Sequence, residues 1–280
     1  AFFDADKVIT DRDHVYERHL LFRGYLKFES PHSRWTFGKQ LIDWGRMRFY
    51  SPLDLFNQPL PSDIEAEERI GFDALNIELS SDNFSGINLI YGPGREKNRD
   101  SYGLRFYKKL KTYDTFFIAA KHQEEKTVGF GFDGYIHDAG FRGEFSYTKD
   151  GKERYPRAAI GVDYNFPNQL YVLLEYFYNG AANSDYGAFS TSLVEQRKRL
   201  SLEKHLGSLM VTYEITPLLK FRGLGIYDFI GKSAFLNPEL RYNIHKDLDV
   251  ICGSQFFLET PGSEFQDSNN FYYISLKYFF

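Results

Sequence analysis

Apolar residues recur at every second position in one segment of this chain after another, and a period of two is the period of a β-strand. The last ten residues, FYYISLKYFF, put Tyr272, Ile274, Leu276, Tyr278 and Phe280 on one face and Phe271, Tyr273, Ser275, Lys277 and Phe279 on the other. The same alternation predicts strands near 18–28, 33–42, 72–80, 84–91, 102–110, 113–121, 126–133, 138–147, 156–166, 168–179, 206–215, 217–227, 233–243, 247–257 and 271–280. Most run about 8–12 residues. A tilted strand crossing a bilayer needs about 9–11, whereas strands of soluble sheets have a mode of about 5–6.

The connections narrow the fold further. Counted back from the C-terminus, 258–270 is long, 243–247 short, the stretch before 233 intermediate, and 215–217 tight. Then 180–205 is very long, 166–168 tight, 148–156 longer, 134–138 short and 122–126 intermediate. Finally 111–114 is short, 91–101 long, 80–83 short, 43–71 very long and 29–33 short. Turns on one side and loops on the other make an outer-membrane barrel. An even strand count then requires one more strand before 18–28, and residues 1–10, AFFDADKVIT, are the only candidate. The expected fold is one all-β domain over 1–280, a transmembrane antiparallel up-and-down β-barrel with short periplasmic turns and long extracellular loops. Sixteen strands are expected, or fourteen if the two weakest segments are not strands.

The two faces of these strands differ in chemistry. Ala158, Ile160, Val162, Tyr164 and Phe166 form one apolar row; Leu170, Val172, Leu174, Tyr176 and Tyr178 form another; Ala139, Phe141, Gly143, Phe145 and Tyr147 form a third. Aromatics gather at row ends, as in interfacial girdles. The opposite faces carry Arg23, Lys27, Arg34, Glu78, Arg105, Lys109, Arg142, Glu144, Arg157, Asp163, Glu175, Lys220, Arg222, Arg241, Asp249 and Lys277. Basic residues exceed acidic ones there by about two to one if alternation holds. A sandwich core cannot bury so many charges without partners, but a water-filled lumen can hold them.

Composition agrees. Mean hydropathy is -0.45, and no run approaches the ~20 apolar residues of a membrane helix. Aromatic residues make up 18% of the chain, and they favour strands. The single cysteine, Cys252, cannot form an internal disulfide. A net charge of -4 argues against a nucleic-acid partner. No signal peptide is visible at the first residues; an exported chain numbered from its mature end would lack one too, so its absence decides nothing.

The closing strand, with Tyr272, Ile274, Leu276, Tyr278 and Phe280, resembles the C-terminal signal of Gram-negative outer-membrane β-barrels. That resemblance implies recognition by the barrel-assembly machinery. Residues 37–60, FGKQLIDWGRMRFYSPLDLFNQPL, resemble a pattern in porin-like outer-membrane proteins, in which a strand ending in G-R/K-Q is followed by W-G and then by a Pro-Asp-Leu-Phe-Asn segment; here these read G-K-Q, W-G and S-P-L-D-L-F-N. The likeness covers about residues 34–79 and implies architecture more than substrate.

Residues 43–71 form the loop with most to say. Pro52, Pro59 and Pro61 exclude one continuous helix or strand. SPLDLF suits a short helix with Ser51 as N-cap and Pro52 at its first position. Either the loop is solvated at the surface, or it folds into the barrel and narrows the pore. In the second case Asp63, Glu65, Glu67 and Glu68 would face the basic wall, with Arg46 and Arg48 anchoring the loop or lining the opening. Opposed charges at a constriction select solutes by charge and size.

Catalytic chemistry is not visible. No His pair has H-E-x-x-H spacing, no G-x-S-x-G occurs, and YGPGRE at 91–96 is not a phosphate loop. The chain is therefore expected to need no cofactor or metal and to act as an outer-membrane porin, passing small hydrophilic solutes by diffusion. Its expected partners are outer-membrane lipid and lipopolysaccharide, the assembly machinery, and copies of itself or an envelope complex. The alternative is a barrel that houses or docks a partner protein, as in an electron conduit or export channel; an outer-membrane enzyme is the remaining option.

Overall fold

The computed structural model describes residues 7–12, 15–19, 21–57, 69–94, 99–182, 201, 203–261, 263, 265 and 268–279. The strands are Lys7–Arg12 (β1), Val15–His19 (β2), Gly24–Ser30 (β3), Ser33–Gln40 (β4), Phe72–Ser81 (β5), Ser85–Gly92 (β6), Ser101–Leu110 (β7), Tyr113–His122 (β8) and Glu125–Ile136 (β9). They continue as Ala139–Asp150 (β10), Glu153–Asn165 (β11), Leu170–Asn179 (β12), His205–Thr216 (β13), Leu219–Asp228 (β14), Ala234–His245 (β15), Leu248–Leu258 (β16) and Phe271–Tyr278 (β17).

Strands β3 to β17 form one 15-stranded sheet in strict sequence order, each strand hydrogen-bonded to its neighbours in the chain. These are the strands that the alternation predicts from 18–28 onward. The chain before them differs. The strand expected over 18–28 starts at Gly24, and residues 7–12 pair with β2 in a separate two-stranded sheet. Local pairing of β1 with β2 closes a short hairpin at little entropic cost. The sixteenth position of an even-stranded barrel therefore falls on a segment that forms this hairpin.

Connection lengths follow the expected segregation with two exceptions. Residues 41–71 and 180–204 are long, while 31–32, 111–112, 137–138 and 246–247 are tight turns. The stretches 122–126 and 148–156 also close as two-residue turns at 123–124 and 151–152. At the second, β10 and β11 reach 12 and 13 residues and absorb the connection. Gly151 takes the left-handed φ of 55° that this tight reversal requires.

Burial is inverted relative to a soluble protein. Tyr272, Ile274 and Leu276 are 79%, 76% and 69% exposed, whereas Arg157 and Glu144 are 2% and 4% exposed. Phe145, Tyr147, Ile160, Val162, Leu174 and Tyr176 from the predicted apolar rows are also exposed. A water-soluble chain hides its large apolar side chains; this one displays them on one face of each strand and gathers polar groups on the other.

The described chain divides into two compact units. One holds Ala1–Arg46, Ser51–Phe132 and Glu144–Tyr155, and the other Met47–Tyr50, Asp133–Gly143 and Pro156–Phe280. Each has its own apolar cluster. Ile42, Trp44, Leu53, Leu55 and Phe56 pack with Ala74, Ile90, Phe116 and Ile118 in the first. Met47, Phe49 and Tyr50 pack with Leu173, Phe177, Leu206, Ile226, Phe235 and Phe265 in the second.

Candidate functional site

The loop after β4 is the centre of interest. Residues 50–57 are all buried, as are Ile42 and Trp44. The apolar loop side chains cannot stay in water at low cost, since burying one Leu or Phe is worth about 1.5–3 kcal/mol. They sit on strand faces that otherwise carry polar groups. The described part of the loop is thus folded onto that face. Asp63, Glu65, Glu67 and Glu68 lie outside the described residues.

Two wall carboxylates hold the loop by its backbone. In the first unit, Glu144 on β10 accepts hydrogen bonds from Leu53 N–H at 3.1 Å, from Ser51 Oγ at 2.7 Å, and from Arg46 N–H. In the second, Glu175 on β12 accepts from Arg48 N–H at 2.8 Å and Phe49 N–H at 3.0 Å. Both carboxylates are buried. A buried carboxylate facing several N–H groups satisfies its lone pairs with charge-assisted bonds. This alters the expected roles. The sequence places Glu144 and Glu175 on the pore-lining face, and on that face the loop covers them. Arg46 and Arg48 contribute main-chain N–H groups as the anchor rather than their guanidiniums.

The loop is also braced from within. Ser51 Oγ accepts from Asp54 N–H at 3.0 Å and Leu53 N–H at 3.3 Å, so it caps as predicted. It caps a single turn at 52–53, however, and SPLDLF makes no helix. The Ser51 hydroxyl is drawn to Glu144, and the apolar residues that follow turn into the cluster instead of continuing a helical stripe. Asn57 accepts from Ile42 N–H at 2.8 Å and donates to Ile70 O at 2.6 Å, closing the loop at its base. Arg69 pairs with Asp54 at 2.5 Å and with Asp43 at 3.3 Å. Burial, with Asp43 and Glu144 nearby, pushes the Asp54 carboxyl well above the usual carboxylate range against the pull of Arg69.

A relay of amides fixes the tryptophan of the W-G pair. Trp44 Nε1 donates to Asn88 Oδ1 at 2.9 Å, Asn88 Nδ2 to Asn76 Oδ1 at 2.6 Å, Asn76 Nδ2 to Gln40 Oε1 at 3.1 Å, and Gln40 Nε2 to Ala74 O at 2.9 Å. The ring lies so close to β7 that a Cβ on Gly103 would sit 2.5 Å from it. Only glycine admits that approach.

Charged groups form a ladder on the first unit. Arg34 pairs with Glu29 at 2.6 Å and Glu78 at 3.1 Å, and Tyr107 donates to Glu78 at 2.8 Å. The Arg105 guanidinium lies 5.7 Å from the Tyr107 ring centre and 4.6 Å from that of Phe116. Arg46 stands 5.8 Å from the same Phe116 ring. Two guanidiniums on one aromatic ring hold like charges together through cation–π attraction. Lys27 pairs with Glu29 at 2.8 Å. Lys109 lies apart near the 82–84 turn, 5.6 Å from the Phe84 ring.

On the second unit, Arg142 pairs with Asp163 and stands 3.9 Å from Asp133. Arg157 is fully buried, donating to Asn179 Oδ1 at 3.2 Å. Lys220 is exposed and pairs with Glu214 at 3.3 Å. Arg222 and Arg241 are half-buried on β14 and β15, and Arg23 is exposed just before β3. The predicted wall residues therefore separate into ladder members, buried structural pairs and exposed ends. Sequence reasoning passed over Gln40, Asn76, Asn88, Tyr107 and Phe116. Their alternate-position placement was the available signal. Arg69, beyond any strand, offered none.

No protein-family model matches the chain, and no curated protein matches it. Solved structures do. OccK5 (OpdH) of Pseudomonas aeruginosa superposes with a TM-score of 0.62 at 12% identity, covering 91% of this chain and 81% of that one. OccK10 (OpdN) of Pseudomonas aeruginosa gives 0.60 at 9% identity, covering 85% and 78%. A double variant of OccD1 (OprD) gives 0.61 at 12% identity, covering 96% and 79%. At such identities the likeness is one of fold: an all-β, antiparallel, up-and-down barrel of the sixteen-stranded porin type.

Proposed function

We propose that the protein is a bacterial outer-membrane channel through which small hydrophilic solutes diffuse, narrowed by the loop that follows β4. The observation that carries this reading is the loop itself. Its apolar residues and main chain are fastened to the polar strand face by Glu144 and Glu175, while the opposite faces expose apolar rows suited to lipid. A constriction held this way needs no chemical step. A loop held on the polar face in this way weighs against the scaffold reading, since a threaded partner protein would have to displace it. The porin-type fold of the structural neighbours is consistent with the same use.

Selection by charge follows from the ladder. Arg34, Arg105 and Arg46 present guanidiniums beside fewer carboxylates, so anions gain at the narrowing. The test is single-channel conductance of the purified protein in a planar bilayer under a salt gradient. Steady conductance with a reversal potential of anion sign is expected. Preference for cations would refute the charge assignment, and absence of conductance would refute the channel.

A further inference from the structure

One depression on the apolar side of the sheet belongs to neither the loop nor the ladder. It is an open groove of about 550 Å³ across β6 to β10. Its floor includes Leu104, Ala119 and Val128, and its charged lining residues are Lys121, Lys126 and Lys149, with no acidic side chain among them. Small Ala119 makes the dip: it stands opposite Leu104 in the β7–β8 register and replaces the large apolar residue usual at such a position. Two pairs further on, Lys121 faces Tyr102.

The geometry sorts these residues by height. Lys121 precedes the 123–124 turn, Lys126 follows it, and Lys149 precedes the 151–152 turn. All three lie at the end of the sheet that also bears the long 41–71 and 180–204 connections. Lys126 and Lys149 are exposed, and Lys121 is half-buried and engaged within the fold. The apolar floor runs from there toward the middle of the strands. An apolar trough capped by several cations fits a molecule with acyl chains below and more than one phosphate above.

We infer that this groove binds a phosphorylated glycolipid of the outer leaflet, with lipid A chemistry: phosphates on the lysines and an acyl chain over Ala119. The inference rests on the outer-membrane reading above, because the loop-bearing end of such a barrel faces outward. Charge complementarity selects this occupant over a second copy of the chain, whose own lysines would be brought against these. It also selects it over a single-phosphate phospholipid, which can engage fewer of the cations at once.

The experiment is native mass spectrometry of the full chain in detergent, titrated with bisphosphoryl lipid A, dephosphorylated lipid A or phosphatidylglycerol. Bisphosphoryl lipid A is expected to bind at one site and the other two weakly. The triple variant K121Q/K126Q/K149Q loses about a hundredfold in affinity, at roughly a factor of five per basic residue near an anionic headgroup. A119W loses binding with all three charges in place, because the indole fills the trough. Equal binding of phosphatidylglycerol, or undiminished binding by the triple variant, overturns the inference. So does a wild-type dimer that the triple variant breaks, which would make the occupant a second copy. Conductance and heat-modifiable gel migration of the same samples are read in parallel. Their loss in the wild type would count against the barrel reading, whereas lipid loss with conductance kept isolates the groove.

Discussion

Removing the Glu144 carboxylate should free the first anchor of the loop. E144A deletes the acceptor for Ser51 Oγ, Leu53 N–H and Arg46 N–H together. Hydrogen bonds to a charged group are worth about 1.5–3 kcal/mol each, so the gross loss is about 5–9 kcal/mol. Water reaching the orphaned donors restores part of it. A net loss of about 3 kcal/mol still raises the detached population roughly 150-fold. Two assays read this. Trypsin should cut after Arg46 and Arg48 on the order of a hundred times faster at that net loss, and single-channel records should show larger, noisier currents. E144Q keeps one acceptor oxygen and should fall between. Unchanged cleavage and unchanged conductance in E144A would refute the claim that a wall carboxylate holds the loop.

Other positions offer independent tests. R105E places a carboxylate at the Phe116 ring, and the reversal potential under a salt gradient should move toward cation preference; no movement would remove Arg105 from the selective path. G103V drives a methyl group into the Trp44 ring and should lower thermal stability by about 1–3 kcal/mol as an overpacked site does, read by heat-modifiable gel migration. I274K puts a charge on the exposed apolar face of β17 at a cost of about 2–4 kcal/mol near the midplane, and S275K on the other face much less; folding yield into lipid vesicles compares them. Asp54 gives a pH prediction. Its folded pKa is raised by burial, so the folded loop holds a proton that the unfolded chain releases, and loop stability falls as pH rises above about 3.9. D54N should abolish that fall in loop stability, read as the loss of its pH dependence in the single-channel current noise.

The strands were legible because period two survives in each of them, and the register of β11 with β12 or of β16 with β17 only pairs faces that the sequence had already sorted. Three things were not legible. The pairing of 7–12 with 15–19 in a local hairpin is one: such a closure costs little loop entropy, and no residue in 7–19 records it. The 148–156 connection reads as a loop because Lys, Asp and Gly crowd it, yet Gly151 lets the chain reverse in two residues. Glu144 and Glu175 read as wet charges, because a period marks a face but not what covers it.

What covers a face does leave a trace, in the places where alternation fails. In β8, Phe116, Phe117 and Ile118 follow one another, so apolar side chains fall on both faces. Phe117 is 56% exposed, while Phe116 and Ile118 are 1% and 4% exposed beneath Leu53 and its neighbours. In β12 the polar-face row reads Tyr171, Leu173, Glu175, Phe177 and Asn179, and the buried Leu173 and Phe177 flank the carboxylate that takes the loop's N–H groups. Tyr50 stacks on Phe177 at 5.2 Å. In β15, Phe235 is fully buried under Phe265, a residue of the 259–270 connection. A large apolar residue on a water-facing strand surface is destabilising unless something shields it, so each such break is the footprint of a connection that folds back. Read that way, Phe116, Phe177 and Phe235 mark from sequence alone where the loops land, and the polar residue beside a footprint is the one to test as an anchor.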